Sequence, residues 1–525
     1  MTGEGIDAAG GTPRLAPVIL AEEEVLDIPR RIRAAAAARP GHPALIEGGT
    51  RLTAAELVAA MDRTALALAA TGLRPGDVIA TLAGATAEHV VLYMAAAALG
   101  VAVAPLPNSA HPDAILRMLE NSGADALFAD GASAVPPEAG PFNDLSAFVA
   151  AAGSGPMIEP RAIPPDQLFD IIYSSGTTGA PKGIEHDVRF RDVQVHRFRR
   201  FGFDGSAVAL FSTPLYSNTT LATLIPALAL GCTVILMRKF DETGFLELAE
   251  RHRVTHSMMV PAQIRRIIEH PEFDRYDLSS YRAKLSTSAP LPPAVVREVL
   301  ARWPGKMINV YGMTEGGMSA VLDCSLHPDK LHTVGRPGVG AEIRIIDAAG
   351  NVLPQGEIGE AVGRSTTMMR GYRKAPDTTR DLVWTSPEGE VFIRSGDMGR
   401  IDEEGFLTLL DRRKDMIISG GFNIFAADLE AVLAAHPDVR DVAVIGIASE
   451  RWGETPVACV VLRDGAAAAP GDLLSWANAR LGRMQRLADI ALLAELPRSA
   501  IGKVLKRELR EGWAALKMGE NTANV

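Results

Sequence analysis

The stretch "YSSGTTGAPKGIEH", residues 173–186, follows the apolar run "LFDII" at residues 168–172. A short run of that kind reads as a buried strand. The loop it opens into holds two serines, two threonines, three glycines, a proline and Lys182 within residues 174–183. Glycines let the backbone come close and turn N–H groups toward an anion. Hydroxyls add donors and the lysine adds charge. A polyphosphate uses that many donors, although a flexible surface loop has the same composition. The phosphate loop of common nucleotide hydrolases needs Gly, four residues, then Gly-Lys-Ser/Thr. Here Gly179 is followed by Ala180, Pro181, Lys182 and Gly183, so that loop is excluded.

The chain has 525 residues, a length that predicts about three folded units. Hydrophobic residues are 47% and charged residues 22%, an ordinary globular balance. A net charge of −10 argues against a general nucleic-acid binder. Cys232, Cys324 and Cys459 are widely spaced. They suit neither a disulfide framework nor a CxxC metal site, and read as buried thiols in a reducing cytosol. The first twenty residues lack a basic start followed by an apolar core, so they do not read as a signal peptide. The apolar runs from Val90 and Leu221 are short for a membrane span and are broken by glycine and proline. Each reads as a buried helix, a glycine stop and a buried strand. The expectation is a cytoplasmic protein with no membrane and no nucleic-acid partner.

From about residue 30 to 240 helix and strand alternate. Thr53 is the expected N-cap of an amphipathic helix that stops at Gly72. Strands apolar on both faces imply a mostly parallel sheet covered by helices. The alternation resumes over 202–310. From about 333 to 410, frequent glycines and short strands suggest an antiparallel sheet or small barrel. After "DRRKD" (411–415) a compact α/β pattern begins again. No internal repeat is visible, and the run 466–469 reads as a surface loop.

The string 173–183 resembles the signature loop of the adenylate-forming superfamily of acyl-CoA synthetases, adenylation domains and luciferases. Further motifs follow in the family's order: "YGMTEGG" (311–317), "SGDMGRIDEEGFLTLLDRRKDMIISGGFNI" (395–424) and "PRSAIGKVLKREL" (497–509). The resemblance spans about residues 25–512. With the pattern above it implies an α/β fold. A large N-terminal domain (25–410) would hold two α/β subdomains and a small β-barrel. A hinge (411–415) would lead to a small mobile α+β C-terminal domain (416–525), and residues 1–24 would be poorly ordered.

The resemblance implies a two-step reaction, with ATP, Mg²⁺ and coenzyme A as its cofactors. A carboxylate attacks the α-phosphate of ATP to give acyl-AMP and pyrophosphate, and a thiol then displaces AMP. It assigns Ser174, Ser175, Gly176, Thr177, Thr178, Gly179 and Lys182 to the phosphates. Glu315, with Thr178, is assigned to Mg²⁺, and oxygen ligands suit that ion. Thr314 is assigned to phosphate, Tyr311 to adenine, Asp397 to the ribose hydroxyls and Arg412 to the nucleotide. Lys503 is the lysine that bridges carboxylate and phosphate during adenylation. Lys506, one helical turn on, reads as a bystander on a solvated face. Lys414 is the pivot. Ser419, Gly420 and Gly421 would line the pantetheine passage, and Trp452 would lie near the coenzyme A nucleotide or serve as a packing residue.

Relatives commonly have "PLxH" where this chain has "PLYSN" (214–218), so Ser217 stands at the usual histidine. "STSAPL" (286–291) replaces a Gly/Ala-rich stretch. Tyr216, Ser217, Ser288, Gly312, Met313 and Gly316 are the expected acyl pocket. They imply a monocarboxylic acid with an apolar or modestly polar body, and medium-chain, alicyclic and aromatic acids all remain open. Two alternatives stand beside a coenzyme A ligase: an enzyme that loads a free-standing carrier protein, or a non-catalytic nucleotide-binding relative. With 22 residues after Lys503, no fused carrier domain is expected. A monomer or homodimer is expected.

Overall fold

The computed structural model describes residues 27–153, 155–174, 182–412, 415–419, 422–482, 485–499 and 502–520, and excludes the side chains of residues 174, 412, 422–423 and 517–520. The fold is α/β. Two compact units are present, residues 1–343 with 362–394, and residues 344–361 with 395–525.

The larger unit contains two helix-covered sheets. The nine-stranded sheet runs in the order Arg336–Pro337, Ser319–Asp323, Lys306–Gly312, Ala283–Ser286, His256–Met259, Val208–Phe211, Thr233–Leu236, Pro43–Glu47 and Thr50–Thr53. Its central neighbours are parallel, with Met259 opposite Ser286 and Ser286 opposite Asn309. The carboxyl ends of these strands therefore share one sheet edge, the usual place for a ligand in an open α/β sheet. The stretches 212–220, 287–291 and 312–317 leave from that edge.

The seven-stranded sheet has the order Gly371–Tyr372, Lys182–Asp187, Leu168–Ser174, Ala102–Pro105, Val78–Leu82, Ala126–Ala129 and Asn143–Asp144. The first two pairings are antiparallel and the rest parallel. Ser174 pairs with Lys182 and Asp170 with His186, so the quoted stretch returns along its own strand.

Local signals explain the covering helices. Thr53 and Glu56 form a capping box at the helix Ala54–Ala70. Thr86 caps Ala87–Leu99, which ends at Gly100 in the left-handed region (φ +79°), where glycine carries no Cβ penalty. That helix is apolar almost all round and is buried along its length, as such a pattern requires. No described helix is long and apolar enough to cross a membrane.

A five-stranded sheet is built from Ala341–Ile346, Gly359–Ser365, Val391–Ile401 and Val383–Thr385, with Leu407–Arg412 also paired to Val391–Ile401. The C-terminal sheet has the order Phe422–Ile424, Ile417–Ser419, Gly453–Leu462 and Val439–Ser449, with Asp489–Leu492 parallel to Gly453–Leu462. The helices Ala426–Ala434 and Pro470–Asn478 bury Leu429, Leu433, Leu473 and Ala477 in this unit's own core, together with Ile424 and Ile490. All three cysteines are buried and unbridged.

Candidate functional site

In the larger unit, Tyr311 and Gly312 end the strand Lys306–Gly312, and Met313, Thr314 and Glu315 follow it. The Glu315 Oε1 accepts a 2.8 Å hydrogen bond from the Tyr372 hydroxyl. Burial, then the Glu315 charge, pushes the Tyr372 phenol well above its usual range, so it stays a donor. The Lys182 ammonium lies 5.1 Å from the centre of the same ring, within cation–π range. The structure thus gathers Lys182, Tyr372 and Glu315 at one corner. Gly316 (φ +74°) admits no side chain, because a Cβ would meet the Thr367 carbonyl oxygen at 2.2 Å. Ser175, Gly176, Thr177, Thr178 and Gly179 lie outside the described residues, as does the side chain of Ser174.

Behind this corner is a constellation that motif reading passes over. Asp170, His186 and Arg191 are each 0% exposed. His186 Nδ1 lies 2.8 Å from Asp170 Oδ1, and its Nε2 lies 2.7 Å from the Thr314 carbonyl oxygen. Arg191 Nε donates to Asp170 Oδ2 at 2.8 Å, and the Tyr93 hydroxyl donates to the same oxygen at 3.0 Å. Burial pushes the Asp170 carboxyl up. Arg191, His186 and Tyr93 outweigh this and hold it below the usual carboxylate range. The available signals are an aspartate inside "LFDII" and an arginine in the first turn of the helix Val188–Arg199.

Among the residues expected to line an acyl pocket, Ser217 caps the helix Asn218–Ala229, its hydroxyl accepting from the Thr219 N–H at 3.2 Å. Ser217 thus acts as a helix cap where the relatives' pattern has histidine. Ser288 has φ +77°, a strained backbone for a residue with a Cβ, costing about 1–2 kcal/mol. Its Oγ is 2.7 Å from Thr219 Oγ1. The Tyr216 hydroxyl is 3.4 Å from Ser109 Oγ.

In the smaller unit, Asp397 is 8% exposed and sits directly opposite Arg412 in the ladder between Val391–Ile401 and Leu407–Arg412. Residues opposite each other in an antiparallel pair are neighbours, so these two candidates share one register position. The Asp397 N–H donates to Ser395 Oγ at 3.0 Å, and that hydroxyl donates to the Ala361 carbonyl at 2.6 Å. Ser419 pairs with Gly453, beside Trp452. Trp452 is 42% exposed with the Arg451 guanidinium 4.7 Å from its ring centre. Lys414, Gly420, Gly421 and the Arg412 side chain lie outside the described residues.

Lys503 sits on a tight turn. Its N–H donates to Ser499 Oγ (3.2 Å), its carbonyl accepts from the Ser499 N–H (2.8 Å), and Gly502 has φ +76°. Arg498 ties the turn down through Gly502 O (2.6 Å) and Asp441 Oδ2 (2.5 Å). Lys506 corrects the sequence reading of a solvated bystander. Its side chain is 17% exposed and pairs with Glu430 Oε1 at 2.8 Å. Burial would lower its pKa, but the Glu430 and Asp411 charges win and raise it.

Two family models match this chain: "AMP-binding enzyme" over residues 32–373 and "AMP-binding enzyme C-terminal domain" over residues 428–503. The chain belongs to the AMP-binding enzyme family of adenylate-forming proteins. It is 33% identical over 478 residues to a feruloyl-CoA synthase from an Amycolatopsis species, covering 90% of this chain and 96% of that one. It is 30% identical over 520 residues to the long-chain-fatty-acid–CoA ligase FadD13 of Mycobacterium tuberculosis, covering 92% and 98%. Among solved structures, the amide bond synthetase McbA of Marinactinospora thermotolerans matches with a TM-score of 0.82, 29% identity, and coverage of 93% and 99%.

The donor set fits a cation that arrives with nucleotide phosphates. Among the described residues no cluster of three His, Cys, Asp or Glu side chains stands ready to hold a metal. Glu315 offers a single partly buried carboxylate. Mg²⁺ commonly takes one or two carboxylates and completes its shell with phosphate oxygens and water.

Proposed function

We propose that this chain is an ATP-dependent carboxylate–coenzyme A ligase. The observation that carries this reading is membership of the AMP-binding enzyme family, with Glu315, Asp397 and Lys503 all present at their motif positions. In the first step a carboxylate oxygen bonds to the α-phosphorus of ATP, and the bond from that phosphorus to pyrophosphate breaks. In the second, a thiol sulfur bonds to the acyl carbon, the bond to AMP breaks, and the thiol proton leaves.

Residues 174–182 grip the phosphates, with Lys182 as a holder. Glu315 and Thr178 would hold Mg²⁺, which when bound would neutralise phosphate charge. Tyr311 and Thr314 take the nucleotide base and phosphate. Asp397 accepts hydrogen bonds from the ribose diol, and Arg412, opposite it on the ladder, makes the second nucleotide contact. Lys503 supplies a compact positive charge where the carboxylate meets the phosphate, and preorganised charge of this kind is a large catalytic contribution. Ser419, Gly420, Gly421 and Trp452 line the coenzyme A path. The chain turns about Lys414 between a domain of 25–410 and one of 416–525, and works as a monomer or homodimer.

Tyr216, Ser217, Ser288, Gly312, Met313 and Gly316 form the acyl pocket. The hydroxyl-bearing side chains of Tyr216, Ser217 and Ser288 suit a monocarboxylic acid whose body is apolar or modestly polar. A panel of aromatic, medium-chain and alicyclic acids, each with ATP, Mg²⁺ and coenzyme A, tests the proposal by AMP release and thioester mass. At least one acid gives both products. AMP release without any thioester would replace coenzyme A with a carrier-protein thiol or an amine as acceptor. Release of neither would sink the reading.

A further inference from the structure

Arg191 and Asp170 are charges removed wholly from water, which costs several kcal/mol per ion unless every polar atom is matched. The matching is dense. Asp170 Oδ1 lies 2.8 Å from His186 Nδ1, and its Oδ2 accepts from Tyr93 and from Arg191 Nε, with Arg191 Nη2 2.7 Å away. Arg191 Nη1 donates onward to Gln194 Oε1 (3.1 Å) and Asn218 Oδ1 (2.9 Å). The carbonyl at Thr314 only accepts, so His186 Nε2 carries a hydrogen toward it. His186 Nδ1 meets both members of the ion pair, Asp170 Oδ1 at 2.8 Å and Arg191 Nη2 at 3.1 Å. The Phe190 ring stacks on the imidazole with centroids 3.9 Å apart and fixes its plane.

A well-packed apolar cluster would stabilise such a spot about as well, so stability alone does not explain these charges. Their two ends do. One end holds the backbone of Thr314, in the nucleotide-side stretch. The other holds the side chain of Asn218, the residue after Ser217 on the acyl side.

We propose that Tyr93, Asp170, His186 and Arg191 form a buried positioning device that joins the nucleotide-side backbone at Thr314 to the acyl-side helix at Asn218. His186 and Arg191 are positioning residues. They set where the two reactants lie relative to each other, without touching the reacting atoms. The proposal rests on the ligase reading for what the two ends bind.

The test is a double-mutant cycle of His186→Gln and Asn218→Ala in the full chain, with ATP binding followed by calorimetry and AMP release followed with ATP and acid varied separately. Gln cannot span Thr314 and Asp170 as the two ring nitrogens do. His186→Gln is expected to weaken ATP binding and raise KM for ATP by about tenfold, the size of one hydrogen bond to a charged network, with a smaller change in kcat. Asn218→Ala raises KM for the acid while the ATP Kd stays within about twofold. The double variant loses less kcat/KM than the product of the single losses, because both cut one chain. An ATP Kd unchanged in His186→Gln while melting temperature falls would overturn the proposal, and so would losses that multiply. Should His186→Gln not fold, Tyr93→Phe removes one hydroxyl from the cluster and reads out the same ATP Kd, with a weakening of about threefold expected and no change overturning the claim. ATP binding is measured without any acid, so failure of the ligase reading would appear separately, as ATP binding without turnover.

Discussion

The Asp170 cluster and the Lys503 turn place positive charge in opposite ways. In the larger unit, the Arg191 guanidinium is fully buried and donates to the side chains of Asp170, Gln194 and Asn218. In the smaller unit, Lys503 sits on a partly exposed turn whose backbone is bonded to Ser499 and which Arg498 braces. A buried ion pair fixes geometry at high cost and punishes the loss of either partner. A partly hydrated ammonium keeps its charge and its reach at almost no cost to the fold. Mutations in the two regions should therefore separate, one set reading out as stability and the other as rate.

The largest effect is expected at Arg191→Met. It strands the Asp170 carboxylate and should cost about 3–5 kcal/mol, measured as a shift in urea midpoint. A loss below about 1 kcal/mol would mean that the cluster is wetter than its burial shows, and the contrast would collapse. Next comes Lys503→Ala. Acyl-AMP formation should fall by about 10²–10³-fold while the urea midpoint stays put. Thioester formation from supplied acyl-adenylate should survive. Equal loss of both half-reactions would remove the special place of Lys503 in the first step.

Acid titration sharpens the larger unit's side of the contrast. His256 is 0% exposed, its Nε2 3.0 Å from Phe201 O, and burial lowers its pKa to about 4. The unfolded chain binds a proton near pH 6.5 while the folded chain resists until about 4. The neutral histidine therefore contributes stability above pH 6.5 that is lost as pH falls through 4, about 3 kcal/mol in all. Stability measured from pH 7 to 4 should decline less steeply in His256→Gln than in the parent. Identical slopes would show that the site takes up water or a proton freely.

Much of this fold could be read from residue order, and the reason is local physics. Thr53 with Glu56, Thr86, and the glycine at position 100 are short-range signals that act within one helix turn. The antiparallel return of residues 182–187 along 168–174 was less visible, because the intervening glycine-rich segment carries the functional signal and masks the turn signal. Motif spacing singles out Glu315, Asp397 and Lys503 as candidates, but it gives no hint of Tyr372 beneath Glu315 or of the pairing of Asp170 with His186. Those contacts join residues 57 and 16 positions apart, and only tertiary packing brings them together. Lys506 shows the same limit. A lysine beginning an amphipathic helix looks solvated until Glu430, from another helix, arrives beside it.

The smallest effect tests whether the wet turn is positioned at all. Arg498 links Asp441 to the Gly502 carbonyl, next to Lys503, with 27% of its side chain exposed. A pair so open to solvent contributes about 1 kcal/mol or less to stability. Arg498→Ala should therefore leave the urea midpoint almost unchanged. If the turn aims Lys503, adenylation should still fall, by about three- to tenfold, because a small misplacement of a catalytic charge is felt directly in rate. Arg498→Lys keeps the charge but gives up the fork that reaches two acceptors at once, and should recover only part of the loss. Full activity in Arg498→Ala would mean that the backbone bonds to Ser499 hold the turn by themselves. The smaller unit would then need even less side-chain scaffolding than the comparison with the Asp170 cluster implies.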